Sequence, residues 1–174
     1  MATSVDTNVL SYLLLNEDPD LADAAERALQ RAAQEGAVVV SGPVLAELLA
    51  VGKWEEPELT TRLIEVGIEI DDRWDRTVWT YAAAAFNRYL SIRRPAEYEC
   101  PQCGTRQRFR CSSCHAELGK PKHVLSDFLI GGHALRYECT LLTNDVGPYR
   151  SFFPDLRVIP LLPKAEEPEP GPDR

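Results

Sequence analysis

The chain has 174 residues, 44% of them hydrophobic and 26% charged, with a formal net charge of −8. That length and apolar content predict one domain of ordinary size with room for a small appendage, and the negative balance excludes a protein that coats nucleic acid with its whole surface. No apolar run approaches the ~18 residues of a membrane span, and MATSVDTNVL lacks the basic start and long apolar stretch of a signal peptide, so a cytoplasmic protein without a membrane partner is expected.

A short apolar run predicts a strand from Thr3 to Asp6, followed by helices over Thr7 to Leu15 and Pro19 to Gln34. A second strand is expected at Ala37 to Ser41, then helices over Pro43 to Val51, Pro57 to Val66 and Asp75 to Arg94. In the last of these, Val78, Ala82, Ala85 and Tyr89 recur at helical spacing and mark a closely packed buried face. A helix over Asp127 to Tyr137 and strands at Cys139 to Thr143 and Leu156 to Pro160 complete the pattern. Continuously apolar strands alternating with helices predict an α/β fold with a mostly parallel sheet flanked by helices. Cys139 falls in an apolar run and is expected in the core, and packing is also the expected role of His133, Trp54, Trp74 and Trp79.

Two segments break the alternation. Pro95 to His123 shows neither helical nor strand periodicity and reads as an insertion between two helices, while PKAEEPEPGPDR at the end holds four prolines and no large apolar side chain. The expected organisation is therefore a domain over 1–162 carrying an insert at 95–123, with a disordered acidic tail at 163–174. Charge is uneven: from Phe86 to His123 eight basic residues oppose three acidic ones, a local charge of +5, which leaves −13 for the remainder.

Four acids stand where this architecture would bring them together. Asp6 ends the first strand, Glu47 lies early in the helix opened by Gly42-Pro43, Asp127 opens its helix behind a Ser126 cap, and Asp145 follows the third apolar strand. Ligands of open parallel sheets bind outside the carboxyl ends of the strands. Converging carboxylates suit magnesium or manganese, hard cations that take oxygen ligands and keep several waters. The chemistry that follows is phosphodiester hydrolysis, which needs no histidine or serine nucleophile.

Within the insert, Cys100 and Cys103 form C-P-Q-C and Cys111 and Cys114 form C-S-S-C. In a reducing compartment two such pairs predict a closed tetrathiolate zinc site of structural type, with an Fe–S cluster or a redox dithiol as alternatives. The insert has too few apolar residues to fold alone, so metal is expected to supply its folding energy. Arg106, Arg108 and Arg110 alternate along TRQRFR beside Phe109 and, on a strand, would share one face suited to an RNA backbone. The insert either grips RNA this way or braces a long connection.

The segments VDTNVL, PVLAELL, SDFLIGGHAL and LLTND, followed by PDLRVIP, resemble the PIN-domain ribonucleases, and their spacing and flanks are similar to VapC-type toxins of toxin–antitoxin pairs. The likeness spans Thr3 to Pro160 apart from the insert. It implies a PIN-like fold with Asp6, Glu47, Asp127 and Asp145 as the acidic metal site and Asn8 and Thr143 as its polar support. It also implies magnesium- or manganese-dependent cleavage of RNA, a homodimer, and silencing by an antitoxin protein. Gly131-Gly132 departs from the alanines such helices more often carry, and the cysteine insert is absent from the compact toxins. The competing readings are an RNA-processing PIN nuclease with a zinc ribbon, a non-catalytic zinc-knuckle RNA-binding protein, and a haloacid-dehalogenase-type phosphatase. The last of these wants an acid two residues after Asp6, where this chain has Asn8.

Overall fold

A computed structural model describes residues 1–51, 53–92, 98–100, 102–115 and 125–162. The expected tail at 163–174 and parts of the expected insert, His123 included, lie outside the described residues. In chain order the elements are β1 (Thr3–Val5), α1 (Thr7–Leu15), α2 (Pro19–Glu35), β2 (Val38–Ser41), α3 (Gly42–Ala50), α4 (Glu56–Glu65) and β3 (Ile68–Asp71). They continue as α5 (Arg76–Ile92), β4 (Tyr98–Glu99), β5 (Arg106–Gln107), α6 (Leu125–Arg136), β6 (Thr140–Thr143), α7 (Val146–Phe152) and β7 (Val158–Pro160).

The five-stranded sheet runs in the order β3-β2-β1-β6-β7 with every neighbouring pair parallel, and the expected PIN-like α/β architecture stands. The central strands β1, β2 and β6 are buried at every position, as strands covered on both faces must be. Helix starts follow their local chemistry. Asp6 caps α1 by accepting from the Thr7 amide at 2.8 Å, and Asp18 caps α2 by accepting from the amides of Asp20 and Leu21, with Pro19 in the first turn.

Helices α5 and α6 pack antiparallel. Asp75 pairs with Arg136 at 2.7 Å, Gly132 lies against Val78 and Ala82, and Phe86 and Tyr89 meet Phe128 with ring centroids 5.1 and 5.6 Å apart. The glycines make this approach possible. A Cβ on Gly132 would stand 2.9 Å from the Val78 carbonyl oxygen and 3.1 Å from the Ala82 nitrogen, and one on Gly131 would meet the Phe153 ring at 2.6 Å. Val78, Ala82, Ala85 and Tyr89 form the buried face of α5, as their spacing predicted, and Cys139 is buried in the core.

Several expectations need correction. The edge strand β3 and the helix α7 were not foreseen, and the insert, which shows no strand periodicity in sequence, contains the antiparallel pair β4–β5. Because α6 begins at Leu125, Ser126 lies inside the helix and is not its cap. Strand β5 covers only Arg106 and Gln107, too short to set Arg106, Arg108 and Arg110 on one face by strand alternation. Trp79, expected to pack, does so on Trp74 with ring centroids 5.2 Å apart, but at the surface, where it is 52% exposed.

Candidate active site

Strand β1 hydrogen-bonds to β2 on one side and to β6 on the other, so the chain order reverses between β1 and β6. This is the topological switch point at which open parallel sheets bind ligands. Asp6 leaves β1 there, its amide donating to the Leu142 carbonyl at 3.0 Å, and Thr143 ends β6 beside it.

A cleft of about 280 Å³ opens at this place, and Asp6, Glu47, Asp127 and Asp145 all line it. Asp6 is fully engaged and only 5% exposed. Its Oδ1 accepts from the Thr7 amide, and its Oδ2 accepts from Thr143 Oγ1 at 2.6 Å and Asn8 Nδ2 at 2.8 Å. Asn8 Nδ2 also reaches Thr143 Oγ1 at 3.2 Å, its Oδ1 accepts from the Asn144 amide at 3.0 Å, and the Asp145 amide donates to Thr143 Oγ1 at 3.0 Å. Asn8 and Thr143 thereby lock the loop after β6 against the start of α1. The Thr7 hydroxyl donates to Glu47 Oε2 and ties α3 to the same network.

Burial raises the Asp6 pKa to about 6, against the lowering effect of its bonds from Thr143 and Thr7, and the nearby Asp127 and Glu47 carboxylates push it the same way. Tyr149 lines the cleft from α7, and burial first, then Asp6 and Asp127, raise its ionisation well above the ordinary phenol range. Thr7, Ser11, Pro148 and Tyr149 are cleft residues that sequence reasoning missed. The first two follow Asp6 on one helical turn and the next; the last two sit on the unforeseen α7.

The donors at the cleft are carboxylate, hydroxyl and amide oxygens with no sulfur or imidazole, a set that fits a hard divalent cation. Among the described residues, no group of three or more His, Cys, Asp or Glu side chains is drawn together tightly enough to hold an ion as it stands. The four insert cysteines are among those residues, and none of them forms a disulfide. His133 is absent from the cleft wall. It is fully buried, between Trp74 and Tyr137 at ring-centroid distances of 5.2 and 4.8 Å, with Nε2 3.7 Å from Asp71 Oδ2.

In the insert the two CxxC segments fold into matching turns. The Gly104 amide donates to the Cys100 carbonyl at 2.8 Å, and the His115 amide to the Cys111 carbonyl at 2.9 Å. Gly104 and His115, each just after the second cysteine of its pair, are both left-handed, with φ of 69° and 57°. Bonding to Thr105 lowers the Cys103 thiol pKa, and backbone bonding around Cys114 and Ser113 lowers that of Cys111. Both turns thus favour thiolates, the ionised form a soft metal binds.

The family model for the PIN domain matches residues 4–94, more than half of the chain, and the chain belongs to the PIN-domain family. The matched stretch holds Asp6 and Glu47 and stops at the insert. Among solved structures the chain is similar to VapBC2 from Rickettsia felis bound to a DNA fragment from their promoter, with TM-score 0.59, 19% identity and coverage of 92% of this chain and 98% of that one. VapBC-1 from nontypeable Haemophilus influenzae gives TM-score 0.58 and 19% identity over 92% and 98% of the two chains. FitAcB from Neisseria gonorrhoeae gives 0.56 and 19% over 91% and 97%. At these identities the likeness shows the fold. No curated protein matches. Among the described residues, no helix is long and apolar enough to cross a membrane.

Proposed function

We propose that this PIN-domain protein is an endoribonuclease that hydrolyses RNA phosphodiester bonds with magnesium or manganese held by Asp6, Glu47, Asp127 and Asp145. The observation that carries this reading is the gathering of all four acids on one cleft at the switch point of a PIN fold, around a carboxylate fixed by Asn8, Thr143 and the Thr7 amide. A cation bound there offsets the negative charge of a phosphodiester and makes water a better nucleophile near neutral pH. The protein's own contribution is positional. Asn8 and Thr143 fix the Asp6 carboxylate, and Thr7 fixes Glu47, which limits the adjustment the four acids need to close on an ion.

The biological role we propose is that of a cytoplasmic toxin, acting as a homodimer and silenced by an antitoxin. Support comes from the resemblance to VapC-type toxins and from structural neighbours described as VapBC and FitAB assemblies, some on DNA. An RNA-processing nuclease is the second reading, favoured by the cysteine insert. We further assign a structural zinc ion to Cys100, Cys103, Cys111 and Cys114, supported by the two matched turns and their lowered thiol pKa values. Arg106, Arg108 and Arg110, all exposed, supply the backbone contacts to RNA.

Purified protein incubated with total RNA and magnesium or manganese, with the cut ends mapped, tests the activity. Cleavage at defined sites is expected from the wild type and none from Asp127→Asn. Intact RNA in both, or equal cleavage by both, removes the reading, and an antitoxin gene beside this one separates toxin from processing enzyme.

A further inference from the structure

The side-chain donors in and behind the cleft wall are few, and all but one are spent inside the fold. Thr143 Oγ1 and Asn8 Nδ2 donate to Asp6, the Thr7 hydroxyl donates to Glu47, and the Tyr149 hydroxyl is sealed from solvent and engaged with Asp6. Ionised carboxylates accept without donating, and Pro148 has no polar side chain. Ser11 is the exception. It lines the cleft from α1, is only half-buried, and among the described residues nothing bonds to its hydroxyl, which is open to solvent. Helical serines and threonines can return the hydroxyl to the carbonyl four residues back, as Thr61, Thr80 and Ser151 do in this chain. Ser11 does not, although Thr7 stands at that position.

Thr7 and Ser11 share one side of α1, with Ser11 about 6 Å further along the helix. Thr7 is the one that holds an acid, so Ser11 is set off from the acid cluster by a helical turn while still facing the cleft. A phosphate oxygen only accepts, and carboxylates repel it; an uncommitted neutral donor is what it fits. We propose that Ser11 contacts the substrate, its hydroxyl donating to a non-bridging phosphate oxygen of the RNA strand that flanks the bond to be cut. This rests on the nuclease reading for the identity of the ligand.

The test compares the full chain with Ser11→Ala. The variant melts at the same temperature or higher, because alanine is the better helix former; a lower melting temperature means that the hydroxyl serves the fold and overturns the proposal. With manganese, KM for RNA rises roughly 3- to 10-fold and kcat is held, since a contact away from the reacting atoms is made equally in ground and transition states. Unchanged KM, or a fall in kcat alone, overturns the proposal, as does weaker binding of manganese alone followed by electron paramagnetic resonance. Anisotropy in calcium with labelled single-stranded RNA, and with DNA of the same sequence, identifies the atom contacted. Both lose affinity equally if it is a phosphate oxygen, and loss for RNA alone assigns the ribose 2′-hydroxyl instead and refutes the phosphate contact. A wild type that binds RNA without cutting it removes the nuclease reading and leaves the anisotropy to decide Ser11; one that does neither ends both.

Discussion

Replacing Asp6 by asparagine makes the energetic cost of the acidic cleft measurable. A carboxyl whose pKa rises from 3.8 in the unfolded chain to about 6 in the fold binds its proton more tightly when folded, so its ionised form destabilises the protein by ~3 kcal/mol. Stability from this group is fully present below pH 3.8 and is lost as pH rises through about 6. Between pH 7.5 and pH 5 the gain is about 1 kcal/mol, or a few degrees in melting temperature for a chain of this size. His133, its pKa lowered by burial, opposes that gain, because a histidine buried neutral destabilises the fold as the unfolded chain takes up its proton below about pH 6.5. Asp71 and Asp75, their pKa values lowered, lose their contribution only as pH falls through those lowered values. The assay is therefore a double difference: thermal or urea unfolding of wild type and Asp6→Asn in chelator at both pH values. The stability gap between the two proteins should shift by about 1 kcal/mol in favour of the wild type on going to pH 5. A gap that stays constant within ~0.3 kcal/mol refutes a perturbed Asp6. Millimolar magnesium at pH 7.5 should stabilise the wild type and leave the variant unchanged.

Gly132→Ala should destabilise the fold by ~1–3 kcal/mol in urea unfolding, although alanine is the better helix former, because its Cβ meets the α5 backbone; a neutral or stabilising result would show that the helices can part freely. Replacing Arg106, Arg108 and Arg110 together by glutamine should weaken RNA binding and reduce the slope of log affinity against log salt by about 2. An unchanged slope leaves the insert as a brace. Purified protein should carry one zinc per chain, lost on Cys100→Ser with Cys111→Ser, and metal analysis finding none in the wild type removes the zinc assignment.

The elements legible from sequence were those whose burial is uniform or whose caps are explicit. Val38 to Ser41 is apolar or small throughout, and α2 opens on Asp18-Pro19. Strand β3 escaped because it lies at the sheet edge, where IEID keeps Glu69 exposed and looks polar over only four residues. Helix α7 escaped because seven residues containing Gly147 and Pro148 show no helical period, and Tyr149 was lost with it. That the four acids would line one cleft was legible because Asp6, Asp127 and Asp145 adjoin a strand end or a helix start, while Glu47 lies in the second turn of α3. Thr7 and Ser11 were not, since they are chemically ordinary until α1 turns them toward the cleft. The insert's cysteines announced their spacing, but only the backbone revealed that His115 occupies the same left-handed position as Gly104, a reason for its place after Cys114 that requires no ligand role.

The antiparallel pairing of α5 and α6 explains why a charged insert belongs at this point of the chain. Contacts run from Asp75 with Arg136, through Val78 and Ala82 with Gly132, to Phe86 and Tyr89 with Phe128, so the partner residue number falls as the α5 number rises. That progression brings the end of α5 at Ile92 level with the start of α6 at Leu125, two residues before Asp127. Any segment inserted between these helix ends is thereby anchored at the rim of the acidic cleft, whatever its own structure. The close approach allowed by Gly132 fixes both anchor points, and in the sequence the stretch from Phe86 to His123 carries +5 of charge against −13 for the remainder. On the nuclease reading, that balance favours electrostatic steering of a polyanionic substrate toward the segment tethered beside Asp127.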